Sequence, residues 1–372
     1  VTPGNWKYDW QPYLSNFTGS NSSITPTTSN LTGITGGTAT YTSGGWCGGV
    51  LAPNGNIYFG PNSAANVFVL NPTTGATSNL TGITGGTATY TANGWAGGVL
   101  APNGNIYFAP FTASNIFVLN PTTGATSNLS NAGTTFTTTG GWFGGVLAPN
   151  GNIYFAPHRA ANVLVLTPTT GATSNLTGGA TYTSQGWRGG VLAPNGNIYF
   201  APYNAANILV LNPTTGVTSN LTGITGGTAT FTIAGWWGGA LAPNGNIYFA
   251  PYAATNVLVL NPTTGSTSNL TGIGGGGTSS SGCILGPNGN IYFAPYGATA
   301  VGVLNPTTGA TSSVSNAGTT FTSGGWFGGV LAPNGNIYFG PYNAANVLKL
   351  TFASLPQTPS SNYCLSPWTN KI

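Results

Sequence analysis

The sequence predicts an all-β protein: a seven-bladed β-propeller with four antiparallel strands per blade, its ring closed by an N-terminal strand that completes the last blade. Three observations predict this. A unit of about 47 residues recurs seven times, each unit carries two hairpin signatures with no helical period between them, and one unit is split between the two ends of the chain.

The repeat is aligned on Asn-Gly-Asn, with copies starting at Asn54, Asn103, Asn150, Asn195, Asn244, Asn288 and Asn334. In the fourth copy the runs Gly189 to Pro194 and Asn197 to Pro202 flank Asn195-Gly196. Asn-Gly between apolar runs is a strong hairpin signal, because both residues tolerate positive φ. A second hairpin follows, in which Asn207 to Asn212 turns through Pro213-Thr214-Thr215-Gly216 into Val217 to Leu221. The runs Val-Leu, Ile-Tyr-Phe and Val-Leu-Val-Leu are continuously apolar instead of alternating, so these strands should be covered on both faces. Stacked blades supply that environment; a linear β-solenoid is the alternative. The last unit stops after its third strand, Asn346 to Thr351, while Ser22 to Leu31 resembles a fourth strand lacking its own hairpin. Joining the two closes a ring and leaves no open circular edge, which a solenoid would not require.

With these residues identified, the repeat resembles the blades of the YVTN and NHL class of propellers. The match lies in Pro194-Asn195-Gly196, in Asn212-Pro213-Thr214-Thr215-Gly216 and in their equivalents over residues 29 to 351. The resemblance implies the fold and little about activity, since such rings serve as enzymes, adhesins and scaffolds. This chain departs from the pattern in using Asn where Asp is common, and in a Thr/Gly-rich stretch such as Gly223 to Ile233 before each blade. The organisation expected is an aromatic-rich arm over residues 1–21, the propeller over 22–351 and a tail over 352–372.

Composition excludes more than it assigns. Five Lys and Arg residues stand against one acid, Asp9, and only 2 % of the chain is charged. Hydrophobic residues make up 40 % and aromatic residues 12 %, enough to build a core despite the abundance of Gly, Thr, Ser and Asn. The scattered cations form no patch that would neutralise phosphates, so nucleic acid is not an expected partner. No apolar run reaches the roughly 18 residues of a membrane span. The chain opens at Val1 and holds no Met, which suggests that an initiator Met or a leader has been removed.

Glycoside hydrolysis uses two carboxylates, and calcium or magnesium sites use several; one Asp supplies neither. A Ser-His-Asp relay would have to combine His158 with Asp9, and a zinc site would have to gather Cys47, Cys283, Cys364 and His158 from around the ring. Neither has supporting spacing, and no cofactor motif is visible. The chain is therefore expected not to be an enzyme, and to need no metal or cofactor. Cys364 is expected to bridge to Cys47 or Cys283, tying down the tail.

Two columns of the repeat vary while the hairpins stay constant. After the Trp of Gly-Trp come Cys47, Ala96, Phe143, Arg188, Trp237 and Phe327, and the sixth blade lacks the motif. After the Pro ending the second strand come Asn62, Phe111, His158, Tyr203, Tyr252, Tyr296 and Tyr342. Aromatic and cationic groups are richest on blades three to five, giving Phe143, His158, Arg159, Arg188, Tyr203, Trp237 and Tyr252 as candidate ligand-binding residues. Such groups suit stacking on sugar rings or clamping an anion. The constant Trp46, Trp95, Trp142, Trp187, Trp236 and Trp326 read as wedges between blades. Six sequons share one place in the repeat, at Asn30, Asn79, Asn128, Asn175, Asn220 and Asn269, and would form an outer girdle of sugars if the chain meets a glycosylation machinery. They also arise by chance in a strand rich in Thr, Ser and Asn.

The function expected from all this is a non-enzymatic structural or adhesive protein outside the cell: part of a virion, an extracellular filament or a cell-surface layer, associating with itself or with other structural subunits. The alternative is a monomeric lectin-like propeller that binds glycans.

Overall fold

The computed structural model describes residues 25–31, 43–80, 93–130, 140–221, 233–272, 279–316 and 318–352. They form seven four-stranded antiparallel sheets and no helix, arranged as a seven-bladed β-propeller. The expected arm and tail and most of the Thr/Gly-rich stretches lie outside the described residues, as does Cys364.

One blade shows why the repeat folds as it does. Its strands are β14 (Trp187–Leu192), β15 (Ile198–Pro202), β16 (Ile208–Leu211) and β17 (Thr218–Leu221), paired in that order from the axis outward. The Asn-Gly hairpin differs from the expected two-residue turn. Gly196 N donates to Ala193 O at 2.9 Å, and only Gly196 takes positive φ, at 83°. Pro194 explains the difference: it has no N–H to close a two-residue turn, and its fixed φ suits the second position of a wider turn from Ala193 to Gly196, with Gly in the left-handed position.

The core lies between blades. Along β11 (Ile153–Pro157), Ile153 and Phe155 pack back against Val99, Tyr107 and Val118 of the preceding blade, while Tyr154 and Ala156 pack forward against Trp187 and Phe200. Strands that contact a neighbour on each face are apolar at every position, as the unbroken runs require. The constant Trp residues are the wedges. Trp142 is fully buried in the layer between blades two and three, and its Nε1 donates to Asn162 O at 2.9 Å.

A polar lock joins six of the seven blade pairs at the opposite face. Asn150 Nδ2 donates to Tyr154 Oη at 2.9 Å and to Pro213 O of the next blade at 2.9 Å, and Tyr154 Oη donates to that same carbonyl at 3.2 Å. The Asn-Gly turn and the Asn-Pro-Thr-Thr-Gly turn are thus two halves of one contact. At the seam the lock changes. Asn288 still donates to Tyr292 Oη at 2.9 Å, but the last blade has no such Pro turn, and Phe352 packs edge-on against Tyr292 at 5.3 Å.

Ring closure follows the split repeat. β1 (Thr27–Leu31) pairs antiparallel with β28 (Val347–Thr351), from Thr27 opposite Thr351 to Leu31 opposite Val347. The segment leaving the sixth blade also grips β1: Thr28 N donates to Asn316 Oδ1 at 2.6 Å, and Thr319 Oγ1 donates to Thr28 O at 3.2 Å. Residues 177–183 treat β17 in the same way, with Asn220 Nδ2 donating to Thr181 O at 3.3 Å and Thr218 Oγ1 donating to Gly178 O. In these blades the connection from the preceding blade shields an outer edge that would otherwise be free to pair.

At the axis the inner strands converge on glycine. Gly48 has φ +70°, and a Cβ there would sit 2.9 Å from Gly97 Cα of the next blade. Gly55, in a hairpin turn with φ +81°, has nothing within 4 Å. The pair makes a test. Gly55→Ala should cost about 1–2 kcal/mol, for the left-handed backbone alone. Gly48→Ala should cost about 2–5 kcal/mol, because overpacking against backbone that cannot yield adds to the same strain. Denaturant unfolding of the two variants measures the difference, and equal losses would refute close packing of the ring about its axis.

Candidate functional site

The inner strands deliver their variable side chains to the axis by means of a bulge. In β10 (Trp142–Leu147) the register shifts between Trp142 and Gly145, and Gly144 takes φ +72°. The extra residue re-aims Phe143 away from the sheet and toward the centre of one face, and its equivalents are aimed likewise. A second, wider ring comes from the residues just after the second strands, such as His158 after β11 and Tyr203 after β15.

The two rings meet in one cluster. Cys47, Ala96, Phe143, Trp237 and Phe327 are buried within it, and Phe111, Tyr203, Tyr252, Tyr296 and Tyr342 pack around them partly exposed. Phe143, Trp237 and Phe327, from blades three, five and seven, touch across the axis at centroid distances of 5.1, 5.8 and 4.8 Å. These aromatic rings close the axis on this face, leaving a shallow basin rimmed by phenols. Asn62 and His158 are buried members of the wider ring, with Asn62 Nδ2 donating to Trp95 O at 2.9 Å.

Arg188 is the one cation among the inner-ring side chains. Its guanidinium carbon lies 3.8 Å from the centroid of Tyr203, 4.0 Å from Trp237 and 5.0 Å from Phe143. Its Nε and Nη2 both approach the ring nitrogens of His158 at 3.4 Å. A neutral imidazole has one acceptor nitrogen, so only one of these contacts is a hydrogen bond. Burial, followed by the charges of Arg188 and Arg159, pushes the pKa of His158 down to about 2. Burial also pulls that of Arg188 down and raises those of Tyr203 and Tyr296. The basin therefore presents a desolvated guanidinium, a neutral imidazole and neutral phenols. Burial likewise raises the pKa of the Cys47 and Cys283 thiols, which removes thiolate character from both.

Of the residues predicted from sequence, Phe143, His158, Arg188, Tyr203, Trp237 and Tyr252 are brought together. Arg159 stays exposed at the rim. Phe111, Tyr296, Tyr342 and Phe327 belong to the same cluster; they stand in the two variable columns, but blades three to five alone did not suggest them. Among the described residues no three of His, Cys, Asp and Glu gather, and Cys47 and Cys283 are free thiols. The expected Cys364 bridge lies outside the described residues. Asn175 is exposed, while Asn30, Asn79, Asn128, Asn220 and Asn269 are partly buried on their outer strands.

No family model matches the chain, and no curated protein matches it. Solved structures do. Virginiamycin B lyase from Staphylococcus aureus aligns with a TM-score of 0.69 over 88 % of this chain and 100 % of its own, at 14 % identity. An auxiliary nutrient binding protein from Bacteroides thetaiotaomicron aligns at 0.55 over 89 % of this chain and 77 % of its own, also at 14 % identity. The extracellular domain of BT4673 from B. thetaiotaomicron aligns at 0.63, with 11 % identity, over 88 % of this chain and 40 % of that one. These likenesses show the fold. They bear out the propeller implied by the resemblance to YVTN and NHL blades.

They also correct one expectation. The chain was expected not to be an enzyme, yet a ring of the same architecture is a lyase, also solved as streptogramin B lyase at a TM-score of 0.67. The shortage of carboxylates speaks against paired-carboxylate chemistry, but proton transfer by His, Tyr or Lys needs no such pair. Exclusion of enzymes as a class therefore does not stand.

Proposed function

We propose that this chain is a structural or adhesive protein of an exterior assembly, a component of a virion, an extracellular filament or a cell-surface layer, built on its propeller scaffold. The observation that carries this reading is the surface: among the described residues Arg159 is the one exposed charged side chain. The rest of the exposed surface is largely Thr, Ser, Asn, Gly and Pro. Copies of such a surface meet with almost no electrostatic repulsion. An exterior location is in keeping with the extracellular propeller domain of BT4673, which shares the fold.

In this reading the arm, residues 1–21, and the tail, residues 352–372, are the contact elements between copies. Their Trp6, Tyr8, Trp10, Tyr13, Phe17, Tyr363 and Trp368 supply the aromatic area that interfaces favour. The six equivalent sequon Asn residues are sites for a girdle of sugars if the chain is glycosylated. Electron microscopy of native material tests the proposal and should show ordered filaments or a lattice. Isolated discs at every concentration would overturn it. That outcome would favour the second reading, a lectin-like module that binds glycans, which is supported by the partly exposed rings of Phe111, Tyr203, Tyr252, Tyr296 and Tyr342 at the basin rim.

A further inference from the structure

We propose that Arg188 is the receptor for a carboxylate, bound at the axial basin by its guanidinium fork. The inference depends on neither functional reading above. The wall around Arg188 is aromatic on three sides, and the one acceptor offered to it among the described residues is a neutral His158 nitrogen. Nη1 and the remainder of Nη2 face no acceptor there. No described residue is Asp or Glu. Enclosing a guanidinium among rings strips away part of its water, and cation–π contact returns only a portion of that loss. Arg188 as a residue is nevertheless only partly buried, so the site is not sealed from solvent.

The shape and charge of the site select the ligand class. A planar fork with free parallel N–H groups matches the two oxygens of a carboxylate. The hydroxyls of Tyr203, Tyr252 and Tyr342 stand near enough to act on the charge of Arg188 and can donate to the same oxygens. A phosphate would bring a second negative charge into a basin whose packed side chains hold one cation, and would leave it uncompensated. The carboxylate has two sources: a soluble ligand, or Asp9, the one acidic side chain of the chain.

The test is an acetate titration followed by tryptophan fluorescence, with Trp237 as the adjacent reporter and chloride at equal ionic strength as the control. It is run on the whole chain, on Arg188→Ala and on Asp9→Asn. Arg188→Ala should fold, because Ala96 already fills the equivalent place in blade two. A saturable response in the unmodified protein, weakened about tenfold or more in Arg188→Ala, assigns the site to a soluble carboxylate. No response in the unmodified protein with a saturable one in Asp9→Asn assigns the site to Asp9. A response that Arg188→Ala leaves intact, or none in either the unmodified protein or Asp9→Asn, overturns the proposal.

Discussion

Acid is expected to unfold this protein through a single side chain. His158 is 1 % exposed, and its folded-state pKa is depressed from 6.5 to about 2, by burial first and by Arg188 and Arg159 second. Below pH 6.5 the unfolded chain takes up a proton that the folded chain refuses. Stability is therefore greatest above that pH and falls by about 1.4 kcal/mol for each unit of acidification until the folded pKa is reached. Most proteins bury this effect under many titrating carboxylates, but here Asp9 is the only acidic side chain. Urea unfolding at pH 7 and pH 4.5 should differ by about 2–3 kcal/mol in the unmodified protein. His158→Tyr should flatten the difference, since Tyr203, Tyr252, Tyr296 and Tyr342 hold the equivalent place in other blades. Equal acid sensitivity in both proteins would show that His158 is not the group responsible.

Removing residues 1–31 is expected to cost even more. The deletion strips β1 from β28, leaving Val347, Leu348 and Leu350 on a bare edge, and removes the hydrogen bonds of Thr28 to Asn316 and Thr319. At about 1 kcal/mol for each hydrogen bond lost, the penalty is about 5 kcal/mol or more before the exposed apolar surface is counted. Removing residues 1–21 alone should cost less, because it spares β1. A synthetic peptide spanning residues 22–31 should restore the longer deletion by completing the last blade in trans. Thermal unfolding of the two truncations measures this, and equal stability would mean that the strand does not close the ring.

The propeller was legible in the sequence because its determinants are local and repeated. Pro194-Asn195-Gly196 and Pro213-Thr214-Thr215-Gly216 mark turns, apolar runs of fixed length mark strands covered on both faces, and the half-unit at each end marks the closure. Even the misread turn was wrong in type and not in place, since Pro194 excluded the two-residue form. The functional expectation was weaker for the same reason. Missing carboxylates speak against particular mechanisms, not against enzymes as a class, and a lyase shares the ring.

The basin was half legible. Both variable columns were visible, and Phe143, Arg188, Trp237, His158, Tyr203 and Tyr252 stand in them. That Phe327 touches Trp237 across the axis was not, because about 90 residues separate them and only the radius of the closed ring sets their distance. The sequence by itself determined blade number, strand order and the closing strand, all of which follow from short-range patterns. Tertiary structure alone decided that one face is plugged by rings, that Gly48 and Gly97 meet at the axis, and that Arg188 is enclosed with, among the described residues, only a neutral histidine as its acceptor. Burial and charge pairing belong to the assembled ring, and no single repeat carries them.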